Sequence, residues 1–241
     1  MIDFHSHCLP AMDDGAADVT EATAMLSESL AQGVHTIIAT PHFYRSEEKI
    51  STFLQRRAES MARLCDSVPQ DMTVRLGAEV LLQRGISRLD LRPLCMEGTN
   101  RILVELPFVS PSAWVYEELE NIAYGQRLDV ILAHVDRYMP WYSAEKLAPL
   151  MELPNVVVQL NGEAFLDKAV FRALRRWLPS VNDMVLGSDM HHIATRRPNL
   201  AQAQVQLHRN RVGRRWLANV RQTEESVFLP PQNNLLLEGF F

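Results

Sequence analysis

At 241 residues, 47% of them hydrophobic and 22% charged, the chain can bury a barrel-sized core and carries no low-complexity block. A net charge of −5 excludes a nucleic-acid binder working by bulk electrostatics, since no basic excess is available to neutralise phosphates. No apolar run reaches the length of a membrane span, so no membrane insertion is expected.

The first run, MIDFHSH, is strand-like, and strict alternation would put Asp3, His5 and His7 on one face. These residues lack the basic and apolar regions of a secretory leader. Asp13 and Asp14 lie in the loop behind them, followed by a helical pattern over DVTEATAMLSESLAQG. HTIIATPHF is the second run, ending in His42 and leading into a helix over SEEKISTFLQRRAESMARLCDS. VRLGAEV ends in Glu79, and RILVELPF ends in Glu105 before a helix over PSAWVYEELENIAYG. DVILAHVDRY brings His134, Asp136 and Arg137, with a helix near SAEKLAPLMEL. NVVVQLNGEAF offers only Asn161 and Glu163, and a helix over LDKAVFRALRRWL follows. DMVLGSDMHH supplies Asp189, His191 and His192, with Arg196 just beyond and a helix over NLAQAQVQLHRN. The arginines of HRNRVGRR read as a solvated helix face. The tail from about 224 to 241, ending NNLLLEGFF, docks back on its own barrel or frays, or else packs on a neighbouring subunit of a homo-oligomer.

Seven apolar runs, mostly separated by helices, predict parallel strands with crossover helices, and thus an α/β fold. An open doubly wound sheet is the competing architecture, but no G-x-G-x-x-G follows an early strand. No Gly/Ser/Pro-rich linker divides the series, so one domain is expected over residues 1–241. The three cysteines, Cys8, Cys65 and Cys95, are odd in number and widely spaced, which predicts a reducing compartment, the cytoplasm.

The polar residues are informative by position. Nearly every apolar run ends in an imidazole or a carboxylate, and the C-terminal ends of barrel strands are where active sites are built. An acid or imidazole inside an apolar strand costs several kcal/mol unless it is paired or coordinated. His5, His7, His42, Glu79, Glu105, His134, Asp189 and His191, with Asp13 or Asp14, therefore read as a metal centre. Histidine and carboxylate without clustered cysteine suit Mn2+, Zn2+ or Fe2+, and the set is large enough for two or three divalent ions. Ions sharing a carboxylate suit hydrolysis at phosphorus. Arg137, and Arg196 or its neighbour Arg197, would grip phosphate oxygens from the rim. A rival thiolate chemistry is raised by CMEGTNR, which has the C-x5-R spacing from Cys95 to Arg101. Glu97 inside that loop and a strand after Arg101 argue against it.

MIDFHSHCLPAMDDGA, ATPHF, GAEV, ILVELPF, LAHVDRY and GSDMHH, in this order, resemble the polymerase-and-histidinol-phosphatase (PHP) family. More closely, they resemble its bacterial CpsB-type branch of metal-dependent tyrosine-protein phosphatases from capsule and exopolysaccharide operons. The resemblance runs from Met1 to about Pro198 and implies a distorted seven-stranded (β/α)7 barrel holding three ions, commonly manganese. It implies that His5, His7, Glu79 and Asp189 hold the first ion. Glu79 would bridge to a second, completed by Glu105 and His134, while Asp14, His42 and His191 hold a third. Arg137 and Arg196 would take the phosphate of a phosphotyrosine, on a cognate autophosphorylating bacterial tyrosine kinase as partner. Val135 and Asp136 replace the branch's usual proline and glutamate, which leaves the path of the Arg137 loop open. Two other readings are a PHP phosphoesterase for a small phosphomonoester such as histidinol phosphate, and a non-catalytic kinase binder, which missing ligands would have marked.

Overall fold

The computed structural model describes residues 1–153, 155–178 and 183–228. Its strands are β1 (Ile2–Ser6), β2 (Thr36–Ala39), β3 (His42–Phe43), β4 (Thr73–Leu76), β5 (Glu79–Leu81), β6 (Arg101–Glu105), β7 (Asp129–Leu132), β8 (Val156–Asn161) and β9 (Met184–Gly187). The seven expected runs give nine strands because two of them break. The second breaks at Pro41, which has no N–H to give a ladder. The third breaks beside it, at Gly77 and Ala78. The chains stay in step across the break, with Gly77 N–H donating to Ala39 O (2.8 Å) and Glu79 N–H to Pro41 O (3.0 Å).

The pairing is parallel throughout, in one sheet ordered β1-β2-β4 and another ordered β3-β5-β6-β7-β8-β9. Since β3 continues the run of β2 and β5 that of β4, the runs stand around the barrel in chain order. A parallel bridge between Ser6 and Met190 joins the last run to the first. This is the seven-run α/β barrel expected from the sequence, distorted at the two breaks.

Helices α1 (Val19–Ala31), α2 (Ile50–Leu64), α3 (Ala113–Glu120), α4 (Ala144–Met151), α5 (Lys168–Trp177) and α6 (Leu200–His208) fall within the expected helical stretches. Asp18 and Asp167 cap α1 and α5 by accepting backbone N–H bonds in the first turn. A further helix, α7 (Arg211–Val227), begins in the helix face expected at HRNRVGRR and runs on through residues given no element from the sequence. Asn210 breaks it from α6 and caps it through Gly213 N (2.9 Å).

The end of α7 has a structural task. Val227 belongs to an apolar cluster with Phe4, Ile38, Leu103, Ile131, Val157 and Val185, and Phe228 packs against it. The Arg75 guanidinium lies 4.3 Å from the Phe228 ring centroid. Ile2 N–H donates to Glu224 Oε1 (3.2 Å). Residues 224–228, assigned from the sequence to the tail, thus dock on the protein's own barrel; 229–241 lie outside the described residues. With this cluster filling the barrel interior, the polar residues occupy the C-terminal strand ends.

Candidate metal centre

Strand β1 does not keep strict alternation. Its register with β2 shifts between Asp3 and Ser6, a bulge that re-aims side chains. Phe4 joins the inner apolar cluster, while His5 and His7 meet with their Nε2 atoms 3.1 Å apart. Asp3 does not join them. Its carboxylate accepts from Ser188 N (2.8 Å) and Ser188 Oγ (2.5 Å), tying the first strand to the loop after the last.

Glu79 is the hub. It is 1% exposed, and its Oε2 lies 3.2 Å from His5 Nε2, 3.4 Å from His7 Nε2 and 2.9 Å from His42 Nδ1. Its Oε1 lies 2.8 Å from His134 Nε2, which is 3.4 Å from Glu105 Oε1. Asp189 Oδ1 stands 3.6 Å from His5 Nε2 and 3.5 Å from His7 Nε2. At the rim, Asp14 Oδ1 is 3.4 Å from both His42 Nε2 and His191 Nε2. All nine residues singled out as ligands in the sequence are therefore brought together. They form overlapping donor groups: His5, Glu79 and His134; His5, His7 and Asp189; His42, Glu79 and Glu105; and His7, Asp14, His42 and His191.

These donors fit divalent ions. Atoms held about 2.1 Å from one cation lie about 3.0–3.4 Å from one another in tetrahedral or octahedral geometry, close to the spacings here. Several are badly placed for hydrogen bonds instead: Glu79 Oε2, His42 Nδ1 and His191 Nε2 are buried without a hydrogen-bond partner. Protonation tells the same story. Burial opposes a charge on His7, yet Asp13 and Glu79 raise it to about 10. Burial likewise opposes a charge on His134, which Glu105 and Glu79 raise to about 10. The Glu79 carboxyl is held well below its ordinary value, against burial, by His5, His134 and His42. The same buried negative charge that raises these imidazoles would favour bound cations.

A second layer holds the donors in place. Asp13 Oδ2 accepts from His7 Nδ1 (2.7 Å) and His42 N (2.9 Å), leaving Asp14 to face the rim; this separates the two aspartates. Gly15 is required beside them, because a Cβ there would fall 2.1 Å from His7 O. Gln159 Oε1 lies 3.1 Å from His5 Nδ1 and accepts from His134 N (2.5 Å). Its Nε2 donates to Asn161 Oδ1 (2.9 Å), and Asn161 Nδ2 donates to Asp189 Oδ2 (3.0 Å). Sequence reasoning missed Gln159 and the role of Asp13. The available signal for Gln159 was an amide inside the apolar run VVVQLN. Two donors sit on unusual backbone, His134 at φ 28° and Asp189 at φ 51°.

Both rim arginines meet one oxygen: Arg137 Nη2 lies 2.7 Å and Arg196 Nη2 2.6 Å from Asp189 Oδ2. Arg197 instead pairs with Glu28 (2.8 Å), away from the centre. The Arg137 loop is a 3-10 turn over residues 135–138, fixed by Asp136 Oδ1 accepting from Asn161 N (2.8 Å). Cys95 is buried, and burial pushes its thiol up to about 12. Arg101 stands at the N-terminal end of β6, opposite Glu105, so the C-x5-R spacing builds no thiolate site.

The family description "Capsular polysaccharide synthesis, CpsB/CapC" matches residues 1–226. The tyrosine-protein phosphatase CpsB of Streptococcus pneumoniae is 29% identical over 219 residues, covering 84% of this chain and 88% of that protein. The tyrosine-protein phosphatase YwqE of Bacillus subtilis is 34% identical over 115 residues, 45% of this chain and 44% of that one. A crystal structure from work on YwqE and CpsB, described as unique metal-dependent tyrosine phosphatases, superposes with a TM-score of 0.78 at 22% identity. That match covers 95% of this chain and 94% of the other. A phosphotriesterase from Mycobacterium tuberculosis shares the fold more distantly, with a TM-score of 0.51 at 12% identity over 94% of this chain and 93% of that one. A family match reaching from Met1 into α7 covers every donor just described, and on it the chain belongs to the CpsB/CapC family, homologous to the CpsB and YwqE tyrosine phosphatases.

Proposed function

We propose that this protein is a metal-dependent phosphatase that removes phosphate from tyrosine in a protein substrate. The observation that carries the reading is the shared carboxylate of Glu79, with one oxygen toward His134 and the other toward His5, His7 and His42. A buried carboxylate placed between donor groups is how neighbouring ions are bridged. In this reading His5, His7, Glu79 and Asp189 hold one ion, and Glu79, Glu105 and His134 a second. Asp14, His42 and His191 hold a third. Manganese is the proposed metal. A cytoplasmic, autophosphorylated tyrosine kinase of capsule or exopolysaccharide synthesis is the proposed substrate. Among the described residues no helix is long and apolar enough to cross a membrane.

Divalent ions at this centre would lower the pKa of a water and take up charge on the attacking and leaving oxygens of an in-line displacement. The rest of the work falls to the chain. Arg137 and Arg196, held side by side by Asp189 Oδ2, present guanidinium N–H groups to the non-bridging phosphate oxygens. Asn161 fixes that same oxygen, so the two arginines share one anchored partner. Asp136, tied to Asn161 N, keeps the Arg137 loop in place. Tyrosine leaves as a phenolate whose conjugate acid has a pKa of about 10, so it needs less proton donation than an alkyl alcohol.

The test compares hydrolysis of a phosphotyrosyl peptide and of histidinol phosphate by manganese-loaded protein, before and after chelation. The expected result is turnover of the peptide, lost with chelator and restored by manganese. Preference for histidinol phosphate would replace the substrate class, and indifference to chelator would remove the mechanism.

A further inference from the structure

We propose that Phe108 and Trp141 form a seat for the aryl ring of the substrate, an aromatic subsite continuous with the metal centre. The proposal deepens the phosphotyrosine reading and rests on it for the identity of the ring. Phe108 lies in the loop just after Glu105, and Trp141 in the loop just after Arg137, so both stand at the mouth where those residues point. The Phe108 ring stacks on His134, with centroids 5.8 Å apart and planes 18° apart. Trp141 meets Phe108 edge-on at 5.3 Å. The wall therefore begins on a donor ring and continues outward by one ring, then another.

Its backing is rigid. Tyr138 is fully buried, packs 5.4 Å from Phe108, and accepts a hydrogen bond from Leu106 N (2.8 Å), which pins the two loops together. The backbone N–H of Trp141 in turn donates to the carbonyl oxygen of Tyr138 (2.9 Å). Yet Trp141 is left 40% exposed, and neighbouring Val109 is also open. An indole packed edge-on against Phe108 and left partly in water beside a polar centre is apolar surface where an esterified phosphate would carry its organic group. A phenyl ring gains stacking and burial there; a small alkyl ester gains little.

A purely structural role for the wall, propping His134, makes a different prediction, and Trp141 separates the two because it sits one ring further out than Phe108. The experiment measures dissociation constants of phenylphosphonate and methylphosphonate on metal-loaded protein by calorimetry, for wild type, Trp141→Ala and Trp141→Phe, with metal content determined in parallel. The wild type is expected to favour the phenyl compound by about tenfold. Trp141→Ala should lower that ratio by about three- to tenfold with metal content retained, and Trp141→Phe should recover most of it. An unchanged ratio, no binding of either phosphonate, or a ratio lost together with the metal would overturn the seat. Neither phosphonate is hydrolysed. Failure to turn over phosphotyrosine would therefore overturn the functional reading while leaving the ratio standing, and a flat ratio beside intact turnover would overturn the seat alone.

Discussion

The floor and the rim of the centre are built differently. On the floor, His5, His7, Glu79, His134 and Asp189 are all buried, and Gln159, Asp13 and Asn161 fix the free atoms of His5, His7 and Asp189. At the rim, Asp14 is 68% exposed and reaches His42 and His191 from a loop, while Arg137 and Arg196 are half-exposed. The floor residues lie in strands or within two residues of their C-terminal ends, where the barrel itself positions them. The rim is assembled by loops that a substrate must approach. Metal affinity should therefore depend mainly on the floor, and phosphate recognition and occupancy of the outermost ion on the rim.

Removing the hub should have the largest effect. Glu79→Gln keeps the size of the side chain but takes the charge from between the donor groups, so bound metal and hydrolysis should vanish together in elemental analysis and assay. Full turnover by that variant would end the distinction between floor and rim. A pH titration sharpens it next. In the metal-free protein His7 and His134 hold their protons up to about 10 instead of the ordinary 6.5. These raised values contribute stability to the metal-free fold that is full below about 6.5 and lost as pH climbs through about 10. Each ion arriving at pH 7.5 must displace the proton of its own ring, His7 for the first and His134 for the second, so each apparent affinity should rise about tenfold per pH unit between about 7 and 9. Calorimetry in buffers of different ionisation enthalpy would count the protons; heats independent of buffer would contradict the geometry.

A smaller effect is expected from Asp13→Ala, which strips His7 Nδ1 of its partner without touching a donor atom. Loss of such an orienting group costs about 10- to 100-fold in metal affinity. The least disturbance of the floor should come from Asp14→Ala. It should lose the outermost ion while the buried donors stay loaded, read as one ion fewer per chain. If Asp14→Ala emptied the whole centre, floor and rim would be one unit.

Much of this was legible in the chain because strand ends are marked locally. Apolar runs that stop at His42, Glu79, Glu105 or His134 carry both the strand and its functional end in a few residues. The fold followed from the same runs, since parallel strands buried on both faces look apolar throughout, as in β9. What depended on distant partners was not legible. Asp13 and Asp14 are adjacent and chemically identical, and only the approach of His7 decides which turns inward. Arg196 and Arg197 are separated in the same way, by Asp189 on one side and Glu28 on the other. Asp3 looked like a partner of His5 by alternation, and a bulge undid that. Helix α7 did carry a signal, the spacing of Trp216, Leu217, Val220 and Val227 along one face, but its arginines drew attention to the opposite one.

The most direct measurement is anomalous diffraction from crystals grown with manganese. The arrangement predicts two or three peaks around the Glu79 carboxylate, each within coordination distance of the His5, His7, His134, Asp189 or Asp14 groups. Peaks lying elsewhere, or none beside Glu79, would show that these carboxylates and imidazoles gather at the barrel mouth for some purpose other than sharing cations.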